Sequence, residues 1–75
     1  MDMVSETRIK GSFSGWGQGN VYVLAEGNPK KWKQVDDKSQ FTALFRPKAK
    51  LLRDGATFYL AVEGMEDMVE ARRER

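Results

Sequence analysis

The sequence predicts a small all-β domain. Apolar residues recur at every second position in several short runs, and those runs are separated by turns built from Gly, Pro and Asp. No stretch carries a strong helical stripe of apolar residues. At 75 residues the chain is one domain, expected to span residues 7–72, with 1–6 a flexible N-terminus and 73–75 a tail. A chain this short buries only about 60% of the surface its unfolded form exposes, so its core is thin.

Ile9, Gly11 and Phe13 alternate with Arg8, Lys10 and Ser12, which predicts a first strand with one apolar face. Ser14 to Gly19 carries Gly at every second position and is expected to be a loop, because Gly costs backbone entropy in any regular element. Val21 to Leu24 is a second strand, apolar on both faces, ended by Gly27-Asn28-Pro29, where Pro presets its own φ and cannot donate to a ladder. Lys31 to Val35 alternates again as a short third strand, and Asp36 to Ser39 is a turn.

Phe41, Ala43 and Phe45 share one face of a fourth strand, expected to be its core face. Pro47 interrupts that strand, and Ala49 and Leu51 are expected to continue the face beyond it. Asp54-Gly55 predicts a hairpin, since Gly accepts the positive φ of the primed turns. Phe58, Leu60 and Val62 form the inner face of a fifth strand, with Tyr59, Ala61 and Glu63 opposite. Val69 and Ala71 predict a last short strand, favoured over a helix because the apolar stripe across 65–75 is weak and lacks a C-cap. Five or six short strands that must hide one face in so short a chain are expected to curl into a small barrel, which hides strand edges as well as the core. The first choice is an SH3-like barrel and the alternative an OB-type barrel.

The segment Arg8-Ile9-Lys10-Gly11-Ser12-Phe13-Ser14-Gly15-Trp16 resembles the R-I-x-G-x-F-x-G-W opening of a group of small bacterial domains. In that resemblance Gly27 stands at an N-G position and Trp32 and Gln34 at W-x-Q. Phe41, Phe45 and Pro47 match its aromatics before a proline, Phe58, Leu60, Val62 and Gly64 its closing strand, and Arg72 its closing basic residue. Glu26 replaces the usual Asn, and Asn28-Pro29-Lys30 reads as an insertion. The resemblance implies a small β-barrel and implies no activity.

The chemistry on offer is narrow. With no Cys and no His, disulfides, ordinary catalytic triads and the usual zinc, iron and copper ligand sets are excluded. Asp36 with Asp37, and Glu63 with Glu66 and Asp67, fall in predicted turns, where carboxylates serve as turn formers. Neither set follows the EF-hand spacing. No enzymatic function, cofactor or small-molecule substrate is therefore expected. The start of the chain lacks the basic and apolar regions of a signal peptide, and no window has the apolar length of a membrane span, so the expected compartment is the cytoplasm.

Binding is the function left. Trp16, set between Gly15 and Gly17, is either an exposed recognition aromatic or a lid over one barrel end. Trp32, if it faces outward, joins Lys30, Lys31 and Lys33 in a basic-aromatic surface, to which Tyr22 or Tyr59 could add. Lys48, Lys50 and Arg53 form a second basic run. Each basic run can equally be a solvated edge that blocks strand pairing. A net charge of +2 is too mild for a dedicated nucleic-acid protein. The expected function is thus a non-catalytic interaction module, binding a protein or itself through exposed aromatic and basic surface; the alternative is a barrel that binds single-stranded nucleic acid.

Overall fold

The alternation resolves into eight strands across residues 1–74, the part of the chain that the computed structural model describes. They are β1 (Asp2–Arg8), β2 (Ser12–Trp16), β3 (Val21–Val23), β4 (Lys31–Gln34), β5 (Gln40–Phe45), β6 (Lys48–Asp54), β7 (Thr57–Val62) and β8 (Val69–Arg73). The described residues contain no helix, so the expected last strand is present as β8. Six strands form one antiparallel sheet in the order β1-β6-β7-β8-β4-β3, and β2 pairs with β5 in a separate two-stranded ribbon.

Neither sheet closes into a barrel. The two edges of the larger sheet meet at one point, an isolated Ile9–Leu24 bridge. There the Lys10 N–H donates to the Val23 carbonyl and the Ala25 N–H to the Arg8 carbonyl, each at 2.8 Å. The expected five or six strands in one closed barrel are therefore eight strands in two sheets.

The N-terminus is a strand and not a flexible lead-in: Asp2 to Arg8 pairs with Lys48 to Arg53 of β6, with one bulge between Met3 and Ser5. The expected first strand is broken, because Gly11 takes a φ of +78° and turns the chain between Ile9 and β2. Both Ile9 and Phe13 are still buried. The expected Gly loop is shorter than its glycines suggested, since Ser14, Gly15 and Trp16 belong to β2. At the other end Arg73 lies in β8 and the Glu74 N–H donates to the Lys31 carbonyl at 3.0 Å, so the expected tail is part of the sheet as far as it is described. Arg75 lies outside the described residues.

Asp54-Gly55 makes the expected tight connection, joining β6 to β7 with Gly55 at φ +62°. Pro47 marks the expected bend, where Arg46 takes a φ of +49° between β5 and β6. Leu51, Leu60, Val62, Val69 and Ala71 supply the inner face of the larger sheet. Against it pack two aromatic groups. Phe13, Trp16 and Tyr22 meet with ring centroids 5.1–5.7 Å apart, and Trp32 lies 5.0 Å from Phe58. Edge-to-face and tilted contacts of this kind add to the burial of large rings, which a thin core needs.

One strand is inverted relative to expectation. Thr42 and Leu44 of β5 turn inward, and Leu44 packs on the core and against Gly64. Phe41, Ala43 and Phe45 point into solvent.

Candidate functional site

The two tryptophans are structural. Trp16 is 4% exposed, and its Nε1–H donates to the Asp67 carbonyl at 3.1 Å, tying the end of β2 to the β7–β8 connection. Trp32 is 2% exposed and donates to the Pro29 carbonyl at 3.2 Å. Its neighbours Lys31 and Lys33 lie on the opposite face of β4, so the expected basic-aromatic surface with Trp32 does not form. Tyr22 is also buried, while Tyr59 sits half-buried on the outer face of β7. The Trp16→Phe variant is expected to lose about 1–2 kcal/mol, from the lost hydrogen bond and the smaller ring, as read by urea denaturation. Its binding behaviour should match that of the parent chain.

The basic residues divide into separate groups. Lys31 and Lys33 share the outer face of β4, and Arg72 of β8 lies directly across from Lys33, with Val21 on its other side. Lys30 is exposed just before β4. Lys48 and Lys50 share the outer face of β6, where Lys50 lies 3.9 Å from the Glu6 carboxylate in a largely exposed pair. Such a pair contributes little to stability. Arg53 does not join them. Three residues beyond Lys50 it falls on the other face, across from Phe58. The strand β7 separates the Lys48/Lys50 group on β6 from the Lys31/Lys33/Arg72 group on β4 and β8.

Among the carboxylates, Asp36 does structural work. Asp36 accepts from Gln34 Nε2 at 2.9 Å, from the Lys38 N–H at 3.2 Å and, through its other oxygen, from the Glu70 N–H at 2.8 Å. It pins the β4–β5 connection to β8. Gln34, 1% exposed, is the hub of this network. Its Oε1 accepts from the Tyr22 hydroxyl at 2.6 Å and the Gly17 N–H at 3.0 Å, while Nε2 also donates to the Lys38 carbonyl at 2.7 Å. Burial pushes the Tyr22 phenol above its ordinary value. Among the described residues no three Asp or Glu side chains come together in a group that could hold a metal ion.

The feature that stands out is one the sequence reading placed in the core. Phe41 is 86% exposed and Phe45 76% exposed, on one face of β5 with Ala43 between them. Four residue steps along the strand set their backbone positions about 13 Å apart. Across the ribbon Ser12 lies opposite Phe45, and Ser12 and Ser14 are exposed, so the rim is small and polar. The strand Gln40-Phe41-Thr42-Ala43-Leu44-Phe45 contains no charged residue. Two nearly bare phenylalanines on one uncharged strand form an apolar patch of the kind that marks an interaction surface, unlike single apolar residues scattered over a surface.

The ribbon that presents this patch depends on Gly15. Gly15 lies across from Phe41 at φ +115°, and a Cβ there would fall inside the contact radius of the Gln40 carbonyl oxygen. Only a residue without a side chain lets β2 and β5 approach so closely. Within the Gly15-Trp16-Gly17 segment, Gly15 and Trp16 belong to β2, and Gly15 serves the packing of that strand on β5.

No protein-family model, curated protein or solved structure matches the chain. Among the described residues no helix is long and apolar enough to cross a membrane.

Proposed function

We propose that the chain is a non-catalytic interaction module that binds protein through the outer face of the β2–β5 ribbon. The observation that carries this reading is the exposure of Phe41 and Phe45 on one uncharged strand. Leaving two such rings in water forgoes roughly 1.5–3 kcal/mol of burial each, and covering them with a partner would recover it. An SH3-like barrel plan belongs to the same proposal, supported by the Ile9–Leu24 bridge that draws the edges of the larger sheet together.

The test compares the immobilised chain with a Phe41→Ser/Phe45→Ser variant. Both substitutions are on exposed side chains, so the variant should keep its urea midpoint within experimental error. Proteins retained from an extract of the source cell, further copies of the chain included, should drop about tenfold or more, a loss on the order of 1.4 kcal/mol of binding. Equal retention overturns the proposal.

The alternative is single-stranded nucleic acid bound on the larger sheet, favoured by the meeting of Lys31, Lys33 and Arg72 on neighbouring strands. That surface offers little aromatic area beside its cations, since Trp32 is buried and Tyr59 is half-buried. Three phosphate contacts would make log K fall with log salt at a slope of about −2, from roughly −0.7 per contact. Absence of oligonucleotide binding at low salt overturns this alternative.

A further inference from the structure

We infer that the occupant of the Phe41–Phe45 face is a second copy of the same chain, paired edge to edge through β5 about a two-fold axis. The inference rests on the reading of that face as an interaction surface and names its partner.

The argument begins with the backbone. β5 pairs with β2 along one side only. On its other side, from Gln40 to Phe45, no backbone group of the described residues makes a hydrogen bond. A row of free N–H and C=O groups is a template for another strand, and proteins ordinarily block it with charge, proline or brevity. The edges of the larger sheet use those devices: β1 carries Asp2, Glu6 and Arg8, and β3 is three residues long. β5 carries no charge and no proline over its six residues, and its one irregularity is a register shift against β2, where Thr42 and Ala43 together face Ser14.

The strand is also complementary to itself. Antiparallel pairing with Ala43 opposite Ala43 of the second copy sets Phe41 against Phe45 of that copy, twice over by symmetry. The small Ala43 at the axis leaves room for the four rings on either side. Arg46, just past the strand, falls opposite Gln40 of the second copy, so no like charges meet along the pairing. A slip of one residue in either direction would set Phe41 against Leu44 or Arg46 and Phe45 against Gln40 or Thr42, and no phenylalanine would face another. A polyanion fits the strand poorly, because it has no cation between Gln40 and Phe45.

The size of the contact sets its strength. Two phenylalanines bring on the order of 300–500 Å² per copy, against about 800 Å² per partner in a standard interface. The dimer is therefore reversible and concentration-dependent.

Sedimentation velocity on the full chain tests this. Wild type should move from one chain towards two as concentration rises through the micromolar range to about 1 mM. Ala43→Lys and Ala43→Glu each place like charges at the axis, and each alone should weaken self-association by about tenfold or more. Their equimolar mixture should restore it, because opposite charges then face each other; a mixture no better than the single variants overturns the pairing. A wild-type chain that stays monomeric, while its retention of other proteins remains sensitive to Phe41→Ser/Phe45→Ser, overturns the second copy and leaves the interaction face standing. A monomeric chain whose retention is insensitive to those substitutions overturns both.

Discussion

Replacing Gly15 with alanine should cost about 4 kcal/mol or more, close to the whole stability expected for a domain of this size. Two penalties coincide there. The backbone sits at φ +115°, which an L side chain rarely adopts, and the added methyl group would run into the Gln40 carbonyl, a backbone atom that cannot move aside without separating β2 from β5. Gly55→Ala isolates the first penalty, since Gly55 also has a positive φ but nothing lies within 4 Å of its missing Cβ. That variant should lose only about 1 kcal/mol. Urea denaturation of the two variants beside the parent makes the comparison. Equal small losses would show that the close approach of the two strands is not a constraint. If Gly15→Ala stays folded at all, amide exchange should quicken across β2 and β5 before the larger sheet is affected, because the ribbon is joined to the rest by few ladder bonds.

The second large effect is at the hub. Gln34→Glu keeps the shape and removes both amide donors, so an acidic oxygen would face the Asp36 carboxylate and the Lys38 carbonyl. The expected loss at pH 7 is about 3 kcal/mol or more, from acceptors left unpaired and a charge buried beside another. The sign of its pH dependence follows. Burial and Asp36 both raise the carboxyl's folded value above the ordinary value near 4.3, so the variant is best held with the proton on. Its deficit relative to the parent should be small at acid pH and grow as pH rises through the raised value. A deficit independent of pH would mean that the new carboxylate reaches water and the site is not closed. The neighbouring Tyr22 phenol works in the same sense at the alkaline end. Its value is raised, so the stability gained from holding it neutral is present below its ordinary 10.0 and lost as pH rises through the raised value.

Gly15 and Gln34 also mark where local reading stopped. The turn chemistry of Asp54-Gly55, the bend at Pro47 and the inner face Phe58-Leu60-Val62 were all legible, because each is decided within a few residues of chain. Gln34 carried no signal as a buried residue: a polar side chain in an alternating run looks like the solvent side until its four partners, Gly17 after β2, Tyr22 of β3, and Asp36 and Lys38 of the β4–β5 connection, are brought together. Trp16 and Trp32, the aromatics expected beside cations, are buried, and the exposed aromatics are Phe41 and Phe45 on a strand without charge. Trp16 and Trp32 look like recognition residues beside Gly and Lys, yet a thin core takes the largest apolar area available to it.

Period two by itself determined that this chain is built of short strands, roughly where most of them lie, and which residues along each strand share a side. It did not determine which side is inside. Phe41, Ala43 and Phe45 do share a face, but the core lies against Thr42 and Leu44, because the pairing of β5 with β2 turns that side inward. Asp2 to Thr7 carried no alternation and still forms a strand, since its backbone completes the ladder of β6. Alternation is a local property of covalent geometry, whereas burial belongs to whatever distant segment comes to lie across it, and that was settled only when the strands were assembled.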